Sequence, residues 1–247
     1  MLKRRPLVVV LLAIVSMSAG LQAQRGGGAG AGPAQTGRAA AADDLTGTWV
    51  SVVAEHWHLR MLVPPKGEFA MLPLNQAARK TAAAWDPAKE PAGDEQCKGY
   101  GAAAIMRIPS RLDIRWAGDN QLRMDIDSGT QTRLFNFGAG ATAATTQAPS
   151  WQGYSTASWV RGDLQVVTTR LRPGYLRKNG VPYSEQARVE EHFDRFTEPN
   201  GDNWIVIDSI VTDPVYLNGP YVTSVAFKKI PDKQGWDPTP CRANEAR

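Results

Sequence analysis

The sequence predicts a mostly β protein in which antiparallel strands form a barrel, with one short helix. Two observations predict this fold. Apolar and polar residues alternate with a period of two through much of the chain, as in strands that bury one face. Apolar residues recur at helical spacing in one clear stretch, residues 74–85. With 247 residues, 43% of them hydrophobic and 21% charged, the chain is long and apolar enough to bury a sizeable core.

The first elements lead up to the predicted helix. Residues 48–53 are predicted as the first strand and residues 56–63 as a second strand, which ends before two prolines. The helix over 74–85 ends at Asp86-Pro87, because a residue that precedes proline disfavours the helical conformation. Residues 86–101 are then predicted as a polar loop.

The remaining strands alternate with turns rich in Gly, Asn and Asp. They are predicted at residues 112–116, 122–126, 132–137, 155–161, 164–170, 189–197, 204–211 and 221–230. Residues 138–150 and 171–186 are predicted as long loops. This gives eight to ten strands, and closing them into a barrel removes the unpaired edges that promote aggregation.

The N-terminus has the pattern of a secretory signal peptide. Three basic residues at positions 3–5 precede nine apolar residues, a run too short to span a bilayer, and Ala23 is a suitable cleavage point. We therefore predict a signal peptide over residues 1–23, a disordered Gly- and Ala-rich leader over 24–42, and a single barrel domain over 43–247. The mature protein is expected in the periplasm or secreted, without a stable membrane anchor; an uncleaved anchor is the alternative.

Charge and cysteine content narrow the function classes. Removal of the signal peptide leaves 25 basic and 24 acidic side chains, and this net charge provides no electrostatic basis for binding nucleic acid or an anionic membrane. Cys97 and Cys241 are the two cysteines, and in an oxidising compartment such a pair predicts a disulfide. A reactive thiol is the alternative, although neither cysteine lies in a Cys-x-x-Cys motif.

The segment Gly47-Thr48-Trp49, at the start of the first strand, resembles the opening of lipocalins and other calycins. In that family the tryptophan closes one end of a barrel that holds a small apolar ligand, and a basic residue of the last strand contacts it. The resemblance implies a calycin-like or lipocalin-like β-barrel here, with Lys228 or Lys229 as the basic partner of Trp49.

A longer series of segments over residues 45–230 resembles an uncharacterised family of exported bacterial proteins. The segments that carry the resemblance are Pro73-Leu74, Ala84-Trp85-Asp86-Pro87, Cys97, Trp151-Gln152-Gly153-Tyr154-Ser155, Asn179-Gly180-Val181-Pro182-Tyr183-Ser184-Glu185, Glu191-His192-Phe193 and Asp213-Pro214. This resemblance implies export and a β-rich fold, and it implies no particular activity.

The three histidines are the candidate catalytic residues. In an extended segment His56 and His58 point to the same side, and with His192 they would suit either acid–base chemistry or, as an alternative, a metal site. Glu55 or Glu190 would supply the neighbouring carboxylate. The competing interpretation is a row of solvent-facing polar side chains on the barrel wall. We predict no cofactor, and a metal only in this alternative.

Aromatic residues in and beside the predicted loops are the candidate ligand-binding residues. They are Trp57, Trp151, Tyr154, Tyr175 and Tyr183, and Arg172 is a candidate beside them. Arg170, Arg177 and Lys178 lie in the same region and would either pair with a ligand carboxylate or form a solvated face. Packing in the core is the alternative role for the aromatic residues.

These features favour an exported β-barrel that binds a small apolar or aromatic molecule, with Arg and Tyr fixing its orientation. One alternative is a His/carboxylate lyase, isomerase or hydratase on the same barrel, with or without a metal. Another is an interaction module of the cell envelope. No Gly-x-Ser-x-Gly, P-loop or His-Glu-x-x-His motif is present, so the sequence gives no support to these hydrolase, nucleotide-binding and metalloprotease classes.

Overall fold

Nine strands close into a barrel in the computed structural model, which describes residues 35–138 and 146–247. The strands within these residues are β1 (Gly47–Val52), β2 (Arg111–Gly118), β3 (Gln121–Ile126), β4 (Gln131–Phe137), β5 (Tyr154–Val160), β6 (Asp163–Thr169), β7 (Gly174–Arg177), β8 (Val181–Tyr183), β9 (Arg188–Thr197), β10 (Asn203–Thr212) and β11 (Tyr221–Ile230). The order around the barrel is β1-β11-β10-β9-β6-β5-β4-β3-β2, whereas β7 and β8 form a separate two-stranded sheet. The predicted β-barrel fold is therefore confirmed.

The barrel is antiparallel except at one pair of strands. Residues 135–137 of β4 pair in parallel with residues 155–157 of β5. A parallel pair requires a long connection, and the segment between β4 and β5 provides it. The predicted signal peptide (1–23), residues 24–34 of the predicted leader and residues 139–145 of the predicted loop lie outside the described residues.

The helices of the described residues are short. They are α1 (Trp57–Arg60) and α2 (Gln76–Ala84), with 3₁₀ helices at Pro87–Lys89, Gly93–Tyr100, Ile105–Arg107 and Ser128–Thr130. α2 confirms the helix predicted over 74–85. The Asn75 side chain caps its first turn by accepting a hydrogen bond from the backbone N–H of Ala78 at 2.9 Å.

Two predicted elements differ from the structure. The strand predicted over 56–63 is wrong, because His56 has the left-handed backbone conformation (φ 46°) and α1 begins directly after it. β1 already pairs with β11 and β2, so no edge is left for a further strand beside it. The loop predicted over 171–186 contains β7 and β8.

Apolar side chains from all around the sheet fill the barrel. Trp49 is completely buried, and its indole N–H donates a hydrogen bond to the carbonyl oxygen of Leu45 at 3.0 Å. The Lys229 ammonium lies 5.3 Å from the centre of the Trp49 ring, which confirms the predicted contact with a basic residue of the last strand. The residues packed below it include Leu112, Ile114, Leu122, Met124, Phe135, Phe193, Ile207 and Phe227.

An ion pair is buried among these apolar residues. Arg133 of β4 donates to Glu191 of β9 through two hydrogen bonds, one of them 2.8 Å from Nη1 to Oε1, and both side chains are fully buried. Arg133 also donates to the Thr168 hydroxyl at 3.2 Å. β9 therefore turns Glu191 and Phe193 inward, and the barrel centre is occupied by protein side chains.

One end of the barrel is closed by residues that we predicted to belong to a disordered leader. The Gly37 N–H donates to the Asn120 side chain at 2.7 Å, and the Trp159 indole donates to the Gly37 carbonyl at 2.8 Å. A Cβ atom at Gly37 would lie 2.3 Å from the Phe137 ring, so glycine permits this close approach. Residues 35–42 are thus folded against the barrel.

The opposite end is covered by residues 53–110, 170–187 and 213–220, which we call the cap. A second apolar cluster joins the cap to the strand ends, with Leu72, Ala78 and Leu176 packed against Val189 and Tyr221. The predicted disulfide is present: Cys97 and Cys241 are joined with an S–S distance of 2.01 Å. It ties the cap to the C-terminal segment. No helix among the described residues is long and apolar enough to cross a membrane.

Candidate functional site

Three arginines from separate parts of the cap lie near the start of β11 and are withdrawn from solvent. Arg60 belongs to α1, Arg107 ends the 3₁₀ helix Ile105–Arg107, and Arg177 ends β7. Arg60 is 3% exposed and Arg177 5%, and Arg107 is half-buried. Each arginine stands next to at least one buried apolar residue in the sequence, namely Leu59, Met106 and Leu176 respectively.

The arginines line two neighbouring cavities. The larger has a volume of about 170 Å³ and is lined by Arg107, Arg177, Glu55, His56 and Met71, together with residues 221–224 of β11. The smaller, of about 30 Å³, is lined by all three arginines and by Lys178, Leu59 and Leu62, among others. Arg107 and Arg177 border both cavities, so we treat them as one site. We call Arg60, Arg107, Arg177 and Tyr221, with these cavities, the arginine site.

Several hydrogen-bond donors of the arginine site have no partner. Arg60 Nη2, Arg107 Nη2, Arg177 Nε and Nη1, and the Tyr221 hydroxyl are buried without a hydrogen-bond partner among the described residues. Leaving a buried donor unpaired costs about 1–3 kcal/mol, and more when the group is charged. An anion placed in the cavities would accept from these donors and remove that cost.

Two of the three guanidinium groups, those of Arg60 and Arg177, are held in place by the protein. Arg60 Nε donates to the Arg107 carbonyl at 2.9 Å, and Arg60 Nη1 pairs with the Glu55 carboxylate. Arg177 Nη2 donates to the Ala70 carbonyl at 2.7 Å. These contacts fix the direction of the unpaired N–H groups of Arg60 and Arg177, and donors fixed in advance favour binding of a matching anion.

The electrostatics of the site favour a negatively charged ligand. Burial lowers the pKa of both Arg60 and Arg107. The positive charge of Arg107 lowers the pKa of Arg60 further, and the positive charge of Arg177 lowers the pKa of Arg107 further. Glu55 acts in the opposite direction on both. An arginine remains charged in proteins, so three positive charges are balanced by the single carboxylate of Glu55.

Exposed apolar side chains line the cavities or directly follow one of their lining residues in the sequence. We call Trp57, Met61, Leu62, Met71 and Val222 the apolar rim. Trp57 and Val222 are each 60% exposed, and the other three are about half exposed. Met71 and Val222 line the larger cavity and Leu62 lines the smaller. The site therefore combines a buried cationic floor with an exposed apolar border.

Lys178 adds a further amine to the smaller cavity. Its ammonium lies 3.7 Å from the centre of the Tyr100 ring and donates to the Glu245 carbonyl at 2.7 Å. Burial lowers the pKa of Lys178 to about 7. Lys178 thus lies beside the three arginines but changes its charge near neutral pH.

One predicted catalytic histidine reaches the arginine site. His56 lines the larger cavity next to Glu55. His56 and His58 were predicted to point to the same side because the segment was expected to be extended, but α1 begins at Trp57 and that expectation is wrong. The His58 ring stands edge-on to the Trp57 ring, with 5.9 Å between the ring centres. His192 lies on β9 and bonds to Glu190 at 3.2 Å.

No group of three or more His, Cys, Asp or Glu side chains within 35–138 and 146–247 has an arrangement that could hold a metal ion.

The predicted aromatic and arginine binding residues lie mainly in packing contacts away from the arginine site. Trp151 donates to Asp94 at 3.1 Å, and the Arg172 guanidinium stacks 3.9 Å above its ring. Tyr175 donates to the buried Glu90 carboxylate, and burial together with Glu90 raises the pKa of Tyr175. These contacts fasten residues 87–100 to the remainder of the cap.

Tyr183 and Tyr154 are both buried, and they differ in their surroundings. Tyr183 is 1% exposed, and burial raises its pKa. Tyr154 lines a different cavity, beside β4 and β5. The ligand-binding role predicted for these two tyrosines, as for Trp151, Arg172 and Tyr175, stays a prediction.

Arg60, Arg107 and Tyr221 were missed by reasoning from the sequence, whereas Arg177 and Lys178 were noted as candidate partners of a carboxylate. A signal for the arginines exists in the sequence. Leu59-Arg60-Met61 and Met106-Arg107-Ile108 each place a single arginine between large apolar residues. That pattern indicates a buried or half-buried guanidinium, which requires an acidic partner or an anion.

Comparisons of the chain with family models, curated proteins and solved structures find no match.

Proposed function

We propose that this is an exported β-barrel protein that binds a small amphipathic anion at the arginine site. The observation that carries the proposal is the set of buried, unpaired N–H groups of Arg60, Arg107 and Arg177, which come from three separate segments and border shared cavities. The anionic group of the ligand would accept from these donors. Its apolar part would lie against the apolar rim.

The larger cavity is too small to enclose a whole drug-sized ligand, so it would hold only the anionic end of one. Pockets that enclose drug-sized molecules usually measure about 300–1,000 Å³. A cavity of about 170 Å³ holds a carboxylate or phosphate group with a few further atoms. The rest of the ligand would then extend over the exposed rim. This refines the apolar or aromatic ligand predicted from the sequence, because the barrel centre is filled by side chains such as Arg133 and Phe135.

Export rests on the signal-peptide pattern of residues 1–23 and is supported by the disulfide between Cys97 and Cys241. A disulfide persists in an oxidising compartment and is rare in the cytosol. We accordingly propose a periplasmic or secreted location.

The proposal is tested by titrating the mature protein with decyl phosphate, decanoate and decanol. We expect the two anions to bind and the alcohol of equal chain length not to bind. Arg107→Met should weaken binding of the anions about tenfold or more, because it removes a charge-assisted donor. The guanidinium of Arg107 has no hydrogen-bond partner among the described residues, so this change should leave the fold intact.

Arg172→Met is the matched control, because Arg172 pairs with Asp94 and Glu95 outside the arginine site. It should leave binding of the anions unchanged. Binding that is abolished by Arg172→Met and preserved in Arg107→Met would overturn the proposed site. Native mass spectrometry of protein purified from periplasm should show an added mass in the wild type that the Arg107→Met protein lacks.

A second candidate function is acid–base catalysis on the bound anion. It is favoured by one observation: His56 and Glu55 line the larger cavity beside the arginines. A lyase, isomerase or hydratase would need His56 as the proton donor or acceptor. If a copurified ligand is converted on incubation with wild-type protein and merely bound by His56→Gln, catalysis is supported; an unchanged ligand in both leaves binding as the function.

A further inference from the structure

The apolar rim is concentrated around the arginine site. Among the described residues, the large apolar side chains that are more than a third exposed are Trp57, Met61, Leu62, Met71, Leu134, Val160, Phe196 and Val222. Five of these eight belong to the rim, and the remaining three lie on strands of the barrel wall. Clustered exposed apolar residues mark an interaction surface, whereas scattered ones are ordinary.

The helix α1 separates the two kinds of side chain. Leu59 and Arg60 point into the cap and are buried, whereas Trp57 at the start of α1 and Met61 and Leu62 after it are exposed. The guanidinium of Arg60 is thus anchored on the inner side of the segment that presents Trp57 to solvent. Tryptophan prefers the boundary between water and hydrocarbon, where its ring is apolar and its N–H remains hydrated.

We propose that the arginine site binds the phosphate headgroup of an anionic phospholipid in a bilayer, so that the apolar rim docks on the lipid surface. This inference rests on the proposed function, since it assumes that the site binds an amphipathic anion. It goes further by stating where the ligand resides.

Charge complementarity selects this occupant. The side chains that line the two cavities include Arg60, Arg107, Arg177 and Lys178, and their one carboxylate is that of Glu55. A phosphodiester carries one negative charge and several acceptor oxygens, which match an array of unpaired N–H donors. Anionic lipid surfaces also attract cationic faces of proteins.

The division of the ligand between cavity and rim favours a lipid that stays in its bilayer. The larger cavity holds a headgroup phosphate but not an acyl chain. A dissolved lipid would therefore expose much of its chain to water while the rim also remained half exposed. In a bilayer the acyl chains stay in hydrocarbon, and Trp57, Met61 and Leu62 leave water by entering the interface.

The experiment is cosedimentation of the mature protein with vesicles of phosphatidylcholine, with and without phosphatidylglycerol. Wild-type protein should bind the anionic vesicles, and its affinity for the neutral vesicles should be at least about tenfold lower. Trp57→Ser should weaken vesicle binding by about tenfold or more, while binding of inorganic phosphate in solution, which has no chain to reach the rim, is retained. Arg107→Met should weaken both.

Phe196→Ser is the control variant. Phe196 is 41% exposed on β9, near the hairpin to β10, and does not belong to the rim. It should bind vesicles as the wild type does. Trp57 and Phe196 are both exposed, so neither substitution removes core packing, and thermal unfolding of each variant checks this.

The results separate the two proposals. Binding of decyl phosphate without binding of anionic vesicles would overturn the docking inference and leave the proposed function standing. Failure to bind either would overturn both. Vesicle binding that is equal in wild type, Trp57→Ser and Arg107→Met would show adsorption by surface charge alone and would also overturn the inference. Loss of binding in Trp57→Ser and Arg107→Met, with Phe196→Ser unaffected, would support it.

Discussion

The buried ion pair between Arg133 and Glu191 allows a quantitative test of how the barrel interior is stabilised. We consider Arg133→Met and Glu191→Leu, each of which leaves the other charge without its partner. Both side chains are fully buried, so water does not replace the lost partner. Each single change should therefore lower the free energy of unfolding by about 3–5 kcal/mol.

The double variant should be far more stable than the sum of the single effects implies. Two apolar side chains of similar volume would fill the same space, and neither charge would remain buried alone. The Thr168 hydroxyl loses a donor in the double variant but keeps its hydrogen bond with Ser155 at 2.7 Å. We expect a total cost of about 2 kcal/mol or less, and hence a coupling energy of about 4 kcal/mol or more.

The assay is urea denaturation of the four proteins, followed by tryptophan fluorescence and far-UV circular dichroism and combined in a double-mutant cycle. Single effects below about 1 kcal/mol that add within about 0.5 kcal/mol would refute the reasoning, because they would mean that water reaches Arg133 and Glu191. The double variant should also bind decyl phosphate normally. Loss of that binding would place the ligand inside the barrel instead of at the arginine site.

Three further predictions concern stability. Gly37→Ala should lower the free energy of unfolding by about 1–3 kcal/mol, because the new methyl group would meet the Phe137 ring of β4. Gly219→Ala is the control, since its methyl group would meet nothing within 4 Å, and it should leave stability unchanged. Equal effects of the two substitutions in urea denaturation would contradict the prediction. Cys97→Ser should lower the free energy of unfolding by up to about 5 kcal/mol, because the bond to Cys241 spans 144 residues, and reductant should abolish the difference from wild type. Burial lowers the pKa of Lys178 to about 7, so the unfolded chain binds more protons than the folded chain above that pH. The free energy of unfolding of wild type relative to Lys178→Met should therefore rise by up to about 1.4 kcal/mol per pH unit between about pH 7 and 10. A difference in denaturation midpoints that does not change with pH would contradict the lowered pKa of Lys178.

The strands were predictable because their signal is local. Leu112 and Ile114 alternate with polar neighbours, and this period of two depends only on which face of β2 is buried. The contact of Trp49 with a lysine of the last strand was also predictable from the resemblance to calycins, although the choice between Lys228 and Lys229 was left open. The failure at residues 56–63 has a different cause: the apolar content permits a strand, but a complete sheet leaves it no partner.

The arginine site was not predictable as a whole, because its members meet only through the folded cap. Arg60 and Arg107 are 47 residues apart and Arg107 and Arg177 are 70 apart, and no fixed spacing connects them. The inward side of β9 was undecided for the same reason. Glu191 points inward because Arg133, on a strand that is not its neighbour, supplies the counter-charge.

The closure of the barrel has a consequence for how the chain folds. The barrel closes where β1, its first strand in the sequence, pairs with β11, its last, with Trp49 opposite Lys229. Contacts between such distant residues form slowly, because a long loop must be ordered before they contribute. Until β11 arrives, β1 and β10 each present an open edge to other chains. A chain truncated before residue 221 should therefore aggregate during refolding, because it lacks the strand that covers both edges.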